Sequence, residues 1–159
     1  MADQMEFPFQ IALEKRQQVL DLCLGTIRRW GLTMPSVEPL VLDFGLGRFD
    51  EIGEIEFWIA NELDAGYCGK FLFVADGQTC PCHRHLQKHE TFFVVKGHVR
   101  MLVDGVEKVL MEGDLLVMPP GQSHSFTGIG PALLLEASMP SVRRDSIFAD
   151  RRIGDDGVI

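Results

Sequence analysis

From residue 54 onward the chain is a succession of short apolar or alternating runs, "EIEFWIA", "KFLFVA", "ETFFVV", "HVRMLVD", "EKVLM", "DLLVMP", "HSFTGI" and "PALLLEAS", with no helical pattern between them. Turn dipeptides separate several of these runs, among them Asp76-Gly77, Asp104-Gly105 and Glu112-Gly113. Strand-length runs this close together leave no room for the crossover helices that parallel strands require. The expected fold is therefore all-β, an antiparallel sandwich or small barrel of jelly-roll type.

Upstream, Leu13, Leu20, Leu24 and Ile27 recur at helical spacing between Ile11 and Trp30, with "EKRQQ" and "RR" on the other face and Gly31 just beyond the end. This pattern marks an amphipathic N-terminal helix. The following "LTMPSVEPLVLDFGLG" holds two prolines and two glycines, which interrupt helix and central strand alike, so it is expected to run over the surface of the main domain. After Pro140 the alternation ceases, and "SVRRDSIFADRRIGDDGVI" is expected to form a short helix or an arm against the barrel, with a frayed end. The expected organisation is a helix and linker over residues 1–50, a barrel over 51–140 and a C-terminal arm over 141–159.

With 159 residues, 46% of them hydrophobic and 24% charged, the chain has the length for one domain and the apolar material for its core. The formal net charge of -8 removes the electrostatic basis for gripping nucleic-acid backbones or anionic membranes. No apolar run approaches the length of a membrane span, and "MADQMEFPFQ" has neither the basic flank nor the apolar centre of a signal peptide. A cytoplasmic protein is expected, in which Cys23, Cys68, Cys80 and Cys82 stay reduced.

The chemistry concentrates in "GQTCPCHRHLQKHETFFVVKG", residues 77–97. His83 and His85 are separated by one residue, so on a strand both side chains leave the same face and can reach one ion. Glu90 opens the next run, and His124 follows "GDLLVMPPGQS" on a later one. Three imidazoles and a carboxylate suit Mn, Fe(II), Ni, Co or Zn, and four protein ligands on an octahedral ion leave two neighbouring positions for substrate. The same parity turns Cys80 and Cys82 to the opposite face, outside the metal site. A β-bulge at Pro81 would be needed to bring either sulfur inward. His98, alone at the start of a strand, is expected at the surface.

Together, Gly77, His83, His85, Glu90 and Gly97 and, after fifteen residues, Gly113, Pro119, Gly121 and His124 have the spacings of the two cupin motifs, with Gly128 where the second motif ends in asparagine. The chain resembles a cupin. That resemblance implies a double-stranded β-helix, the jelly-roll barrel, carrying the N-terminal helix as an appendage. Cupins include isomerases, dioxygenases, decarboxylases and binding proteins, so the barrel alone does not choose a function. The stretch "GKFLFVADGQTCPCHRHLQKHE" is similar to that of D-lyxose isomerases, cupin enzymes that interconvert aldose and ketose sugars with a divalent metal, usually manganese. The likeness runs from about Lys70 to Phe148. It implies metal ligands at His83, His85, Glu90 and His124 and proton-moving groups at Lys70, Lys88 and Glu136. An arginine near the family's C-terminus corresponds to Arg151 or Arg152, and the segment after Glu90 is shorter than in the family.

The residues are consistent with that chemistry. Lys88 stands two residues before Glu90, Lys70 shares strand parity with Leu72 and Val74, and Glu136 interrupts "PALLLEAS", where a carboxylate needs a function or a partner. Isomerisation through an enediol needs a base at carbon 2, here Glu136, and groups that stabilise the developing negative oxygen. Lys88 and Lys70 are expected to shuttle protons between the oxygens or to neutralise that charge, with their pKa values lowered by burial and a neighbouring cation. An Fe(II)-dependent cupin dioxygenase and a non-catalytic sugar-binding cupin are the alternatives. The expected partner is a small-molecule sugar, with no nucleic acid or membrane, and a homodimer is expected through pairing of sheet edges.

Overall fold

A computed structural model describes residues 10–159, so most of the opening stretch weighed above as a signal sequence lies outside the described residues. One helix, α1 (Leu13–Arg29), precedes nine strands: β1 (Leu40–Leu42), β2 (Glu54–Glu62), β3 (Tyr67–Val74), β4 (Thr79–His85), β5 (Glu90–Val103), β6 (Val106–Leu110), β7 (Leu115–Met118), β8 (His124–Ser138) and β9 (Ser146–Phe148). The long strands β5 and β8 run antiparallel side by side, from Glu90 opposite Ser138 to Val103 opposite His124. The other edge of β8 takes β3 and then β4, and the other edge of β5 takes β7 and then β6. The result is a curled all-β jelly roll.

Two pairs of runs that read as separate strands are continuous. "ETFFVV" and "HVRMLVD" form β5, while "HSFTGI" and "PALLLEAS" form β8. The apparent break is a register slip between Val94 and His98, which bends the strands around the barrel without ending them. Gly128, where the second cupin motif has asparagine, has no room for a side chain: a Cβ there would lie 2.3 Å from the Ala75 carbonyl oxygen.

Two apolar layers hold the fold. Leu72, Val74, Phe92, Val94, Met101, Phe126 and Leu134 fill the barrel interior, and Leu20, Cys23 and Ile27 of α1 cover Ile55, Phe57, Phe73 and Leu133 on its outside. Strand β3 is thus buried on both faces, which is why "KFLFVA" reads as a nearly continuous apolar run, whereas β2 turns its apolar residues Ile55 and Phe57 toward α1. Leu13, included above in the helical stripe, is 84% exposed, because it is the first residue of α1 and lies before the stripe meets the sheet.

The linker departs from expectation, and the C-terminal arm, which lies against the barrel, does so only at its end. The linker does not stay on the surface: Leu40–Leu42 pair with β2 as an edge strand, and Val41 and Phe44 are buried in the two apolar layers. Pro39 sits just before that strand, so its missing N–H costs no ladder bond. The arm forms β9, paired with β4 from His83 opposite Phe148 to His85 opposite Ser146, in place of a helix. Its end is pinned rather than frayed, since the Ile159 N–H donates to Ser146 O at 3.1 Å and Ile153 is fully buried. No helix among the described residues is long and apolar enough to cross a membrane.

Candidate metal centre and its cavity

Strand β4 presents His83 and His85, β5 begins with Glu90 and β8 begins with His124. The register of β4 on β8 sets His83 directly beside His124. One donor atom from each of the four lies within 4.8 Å of the others. His124 Nε2 is 2.9 Å and His85 Nε2 is 3.4 Å from Glu90 Oε1, yet none of these three buried atoms has an aligned hydrogen bond. Leaving such atoms unsatisfied costs about 1–3 kcal/mol each. Four converging donors of this chemistry, three of them open, fit a divalent metal ion.

The far side of each ring is already engaged. Nδ1 of His83 lies 2.9 Å from Pro81 O and Nδ1 of His124 lies 3.1 Å from Gln122 O. Nδ1 of His85 lies 3.3 Å from Ser146 Oγ and 3.5 Å from Asp145 Oδ2. A proton held at Nδ1 leaves the Nε2 lone pair facing the centre, as a ligand requires. Burial, followed by the neighbouring charges of His124 and His85, holds His83 well below its usual pKa, so the imidazole is neutral. Burial alone would raise Glu90, but His124, His85 and Lys88 reverse this and hold it well below the usual carboxylate range.

A chain of ion pairs leads away from this cluster. Lys88 Nζ is 2.9 Å from Glu90 Oε2 and 2.7 Å from Glu136 Oε1, which also accepts from Ser138 Oγ at 2.8 Å. Lys70 Nζ lies 3.6 Å from Glu136 Oε2 and donates to Glu56 Oε1 at 2.7 Å. The other Glu56 oxygen accepts from Trp58 Nε1 at 2.6 Å, and Lys70 stands 4.9 Å from the centre of that indole. All the linked acids and lysines line one cavity of about 1180 Å³. Its charged wall suits a polar small molecule.

Two expectations about this wall are corrected. Burial would lower Lys70 and Lys88, but the carboxylates of Glu136 and Glu56 hold Lys70 well above its ordinary value. Glu136 and Glu90 likewise hold Lys88 above its own, so both are ammonium ions. Cys80 does not face away: it is buried in the barrel and lines the cavity. Cys80 pairs with Phe126 but His83 pairs with His124, so β4 carries one extra residue between them. That bulge reverses the parity, although Cys80 remains outside the ligand cluster.

Arg151 and Arg152 are turned outward, paired with Asp156 and Asp150, and the arginines at the cavity are Arg143 and Arg144. His98 is exposed, as expected. Sequence reasoning missed Glu54, Glu56, Trp58 and Asp145. For the first three the signal was the alternation of "EIEFWIA", which puts them on one face and Ile55 and Phe57 on the other.

A largely buried ligand cluster inside a jelly-roll barrel defines the class: residues 71–138 match the cupin domain family. More narrowly, the chain is 32% identical over 142 residues to the D-lyxose ketol-isomerase of Thermofilum sp. (strain ex4484_79), covering 71% of this chain and 77% of the relative. It is 31% identical over 153 residues to the D-lyxose ketol-isomerase of Cohnella laeviribosi, covering 77% and 82%. The chain belongs to the family of these cupin sugar isomerases. In fold it is similar to a variant of the L-ribose isomerase of Acinetobacter sp. DL28 in complex with L-ribose, with a TM-score of 0.74 at 15% identity over 94% of this chain and 95% of that one.

Proposed function

We propose that the protein is a divalent-metal-dependent isomerase that interconverts an aldose and a ketose, with D-lyxose and D-xylulose as the first pair to test. The observation that carries this reading is the position of Glu136. It is a buried carboxylate that does not belong to the ligand cluster, yet Lys88 bridges it to the ligand Glu90. A proton-moving group is thereby held beside the place where a sugar's carbonyl end would lie.

A metal held by His83, His85, Glu90 and His124, manganese first, would supply Lewis acidity toward the oxygens on carbons 1 and 2. Glu136 then takes the proton from carbon 2 and returns it at carbon 1. The enediol between those steps carries developing negative charge on oxygen. Lys88 and Lys70, both ammonium, stabilise that charge and hold Glu136 in place through their ion pairs, and an ammonium proton given to the oxygen on carbon 1 is replaced from the hydroxyl on carbon 2, which completes the exchange. They act as cations rather than as the deprotonated bases that lowered pKa values would have allowed.

A cavity wall bearing Glu54, Glu56, Lys70, Lys88 and Glu136 fits a polyol better than the aromatic or thiol substrates of dioxygenases. The test is metal analysis followed by an aldose-ketose panel under nitrogen, read by exchange of solvent protons into carbons 1 and 2. Glu136→Gln should lose about 10²–10⁴ in kcat while retaining metal. Unchanged turnover would remove Glu136 from the mechanism. Activity that requires oxygen would overturn the isomerase reading.

A further inference from the structure

Four buried side-chain atoms among the described residues lack a hydrogen-bond partner, and three belong to the ligand cluster. The fourth is Oε2 of Glu54, which lines the same cavity and is itself 5% exposed. Its position is fixed by the backbone before it. A Cβ at Gly53 would lie 2.7 Å from the Leu42 carbonyl oxygen, so the strand enters β2 pressed against β1. Glu54, Glu56 and Trp58 then face the cavity together while Ile55 and Phe57 pack beneath α1.

Glu56 and the Cys80 thiol both meet the Glu54 carboxyl, yet its Oε2 is left without a well-formed hydrogen bond. Both oxygens of Glu56 are engaged, one by Lys70 and the other by Trp58, and Lys70 is shared between Glu56 and Glu136. Burial first, and then the charge of Glu56, pushes the Glu54 carboxyl well above its usual range, so it holds its proton. An uncharged carboxyl can both donate to and accept from a hydroxyl group, and a hydroxyl offers both in return. Glu54 is also remote from the chemistry in the order of contacts. Glu54 interacts with Glu56 and Lys70, and from Lys70 the ion pairs run through Glu136 and Lys88 before they reach Glu90.

We propose that Glu54 is a specificity-determining residue, hydrogen-bonding a hydroxyl of the sugar that lies away from the two reacting carbons. This rests on the isomerase reading and adds to it the end of the cavity where the rest of the sugar chain is recognised. A site built around a hydroxyl discriminates against the analogue that lacks it, because the protein group is then left unpaired.

The experiment compares metal-loaded wild type, Glu54→Gln and Glu54→Leu on D-lyxose and on three analogues lacking the hydroxyl at carbon 3, 4 or 5. The wild type should lose between about 10- and 100-fold in kcat/KM on one of the three analogues, the fold-change that one unpaired buried polar group brings. Glu54→Leu should lose that preference by slowing on D-lyxose alone, whereas Glu54→Gln, which still donates and accepts, should keep it. Metal content equal to wild type in both variants shows that the ligand cluster is intact. A preference that survives in Glu54→Leu overturns the proposal and leaves the isomerase reading standing. No turnover of any aldose by the wild type overturns both.

Discussion

The two sides of the cavity deal with buried polar groups in opposite ways. Around His83, His85, Glu90 and His124, donor atoms converge and three are left open. Around Lys70 and Lys88, each ammonium lies between two carboxylates, Glu56 and Glu136 for the first, Glu90 and Glu136 for the second. The first side fits a ligand from outside the chain; the two lysines of the second find their partners within it. Damage to the first should therefore appear as lost function in a folded protein, and damage to the second as lost stability in addition to lost function.

His83→Ala tests that division most severely. His83 is only partly buried and its ring stacks on Phe148 at a centroid distance of 5.0 Å, so the fold should tolerate its loss. Metal binding should disappear and aldose turnover should fall by more than the roughly 10²–10³ that one electrostatic contact contributes. Metal analysis, kinetics and a melting curve of the metal-free protein check this. Full metal occupancy in the variant would break the comparison.

Lys70→Met tests the opposite side. Removing one partner of a buried ion pair leaves the other charge uncompensated, at a cost of about 3–5 kcal/mol. Urea unfolding should show that loss, and adding Glu56→Gln should recover part of it, since the stranded charge is then gone. A double variant no more stable than the single one would mean that Lys70 is held chiefly by Glu136.

A smaller effect is expected where the two sides meet. Asp145, 3% exposed, accepts from the backbone N–H groups of Gln87 and Lys88 at 2.8 and 3.2 Å and stands 3.5 Å from His85 Nδ1. Asp145→Asn keeps an oxygen for the loop but weakens the carboxylate behind the imidazole. Metal affinity should fall about 10–100-fold by titration, with turnover recovered at high metal concentration.

These positions were not equally legible in the sequence. The period-2 spacing of His83 and His85 fixes a shared face whatever the barrel does, so the ligand set could be read from spacing and motif. The direction of Cys80 could not, because the extra residue in β4 arises from how that strand pairs with β8 at Phe126 and His124. Glu54 and Glu56 were hidden for a related reason. Their alternation with Ile55 and Phe57 is visible, but which set faces inward depends on α1 covering the apolar face. The unity of β5 and β8 was masked by Gly97 and by Gly130-Pro131, which read as breaks but lie at the bend.

The finest distinction between the two sides lies in proton occupancy at Glu54. Its carboxyl is raised well above 4.5 in the folded state, by burial first and then by Glu56. Above that pH the unfolded chain has released the proton while the folded one retains it, so the folded state binds more protons and stability must fall as pH rises. The contribution is fully present below about 4.5 and is lost as pH approaches the folded pKa, with a slope of at most about 1.4 kcal/mol per pH unit. Glu56 has the opposite sign: burial would raise it, but Lys70 holds it below 4.5, so its contribution is already complete above that pH and adds no slope there. Glu54→Gln removes the titrating group and keeps the shape. Metal-free Glu54→Gln should therefore gain stability over wild type progressively between pH 5 and 8 in urea unfolding, and the subtraction cancels the histidines common to both. A constant difference across that range would mean that Glu54 is ionised in the cavity wall, where it would meet a sugar only as an acceptor.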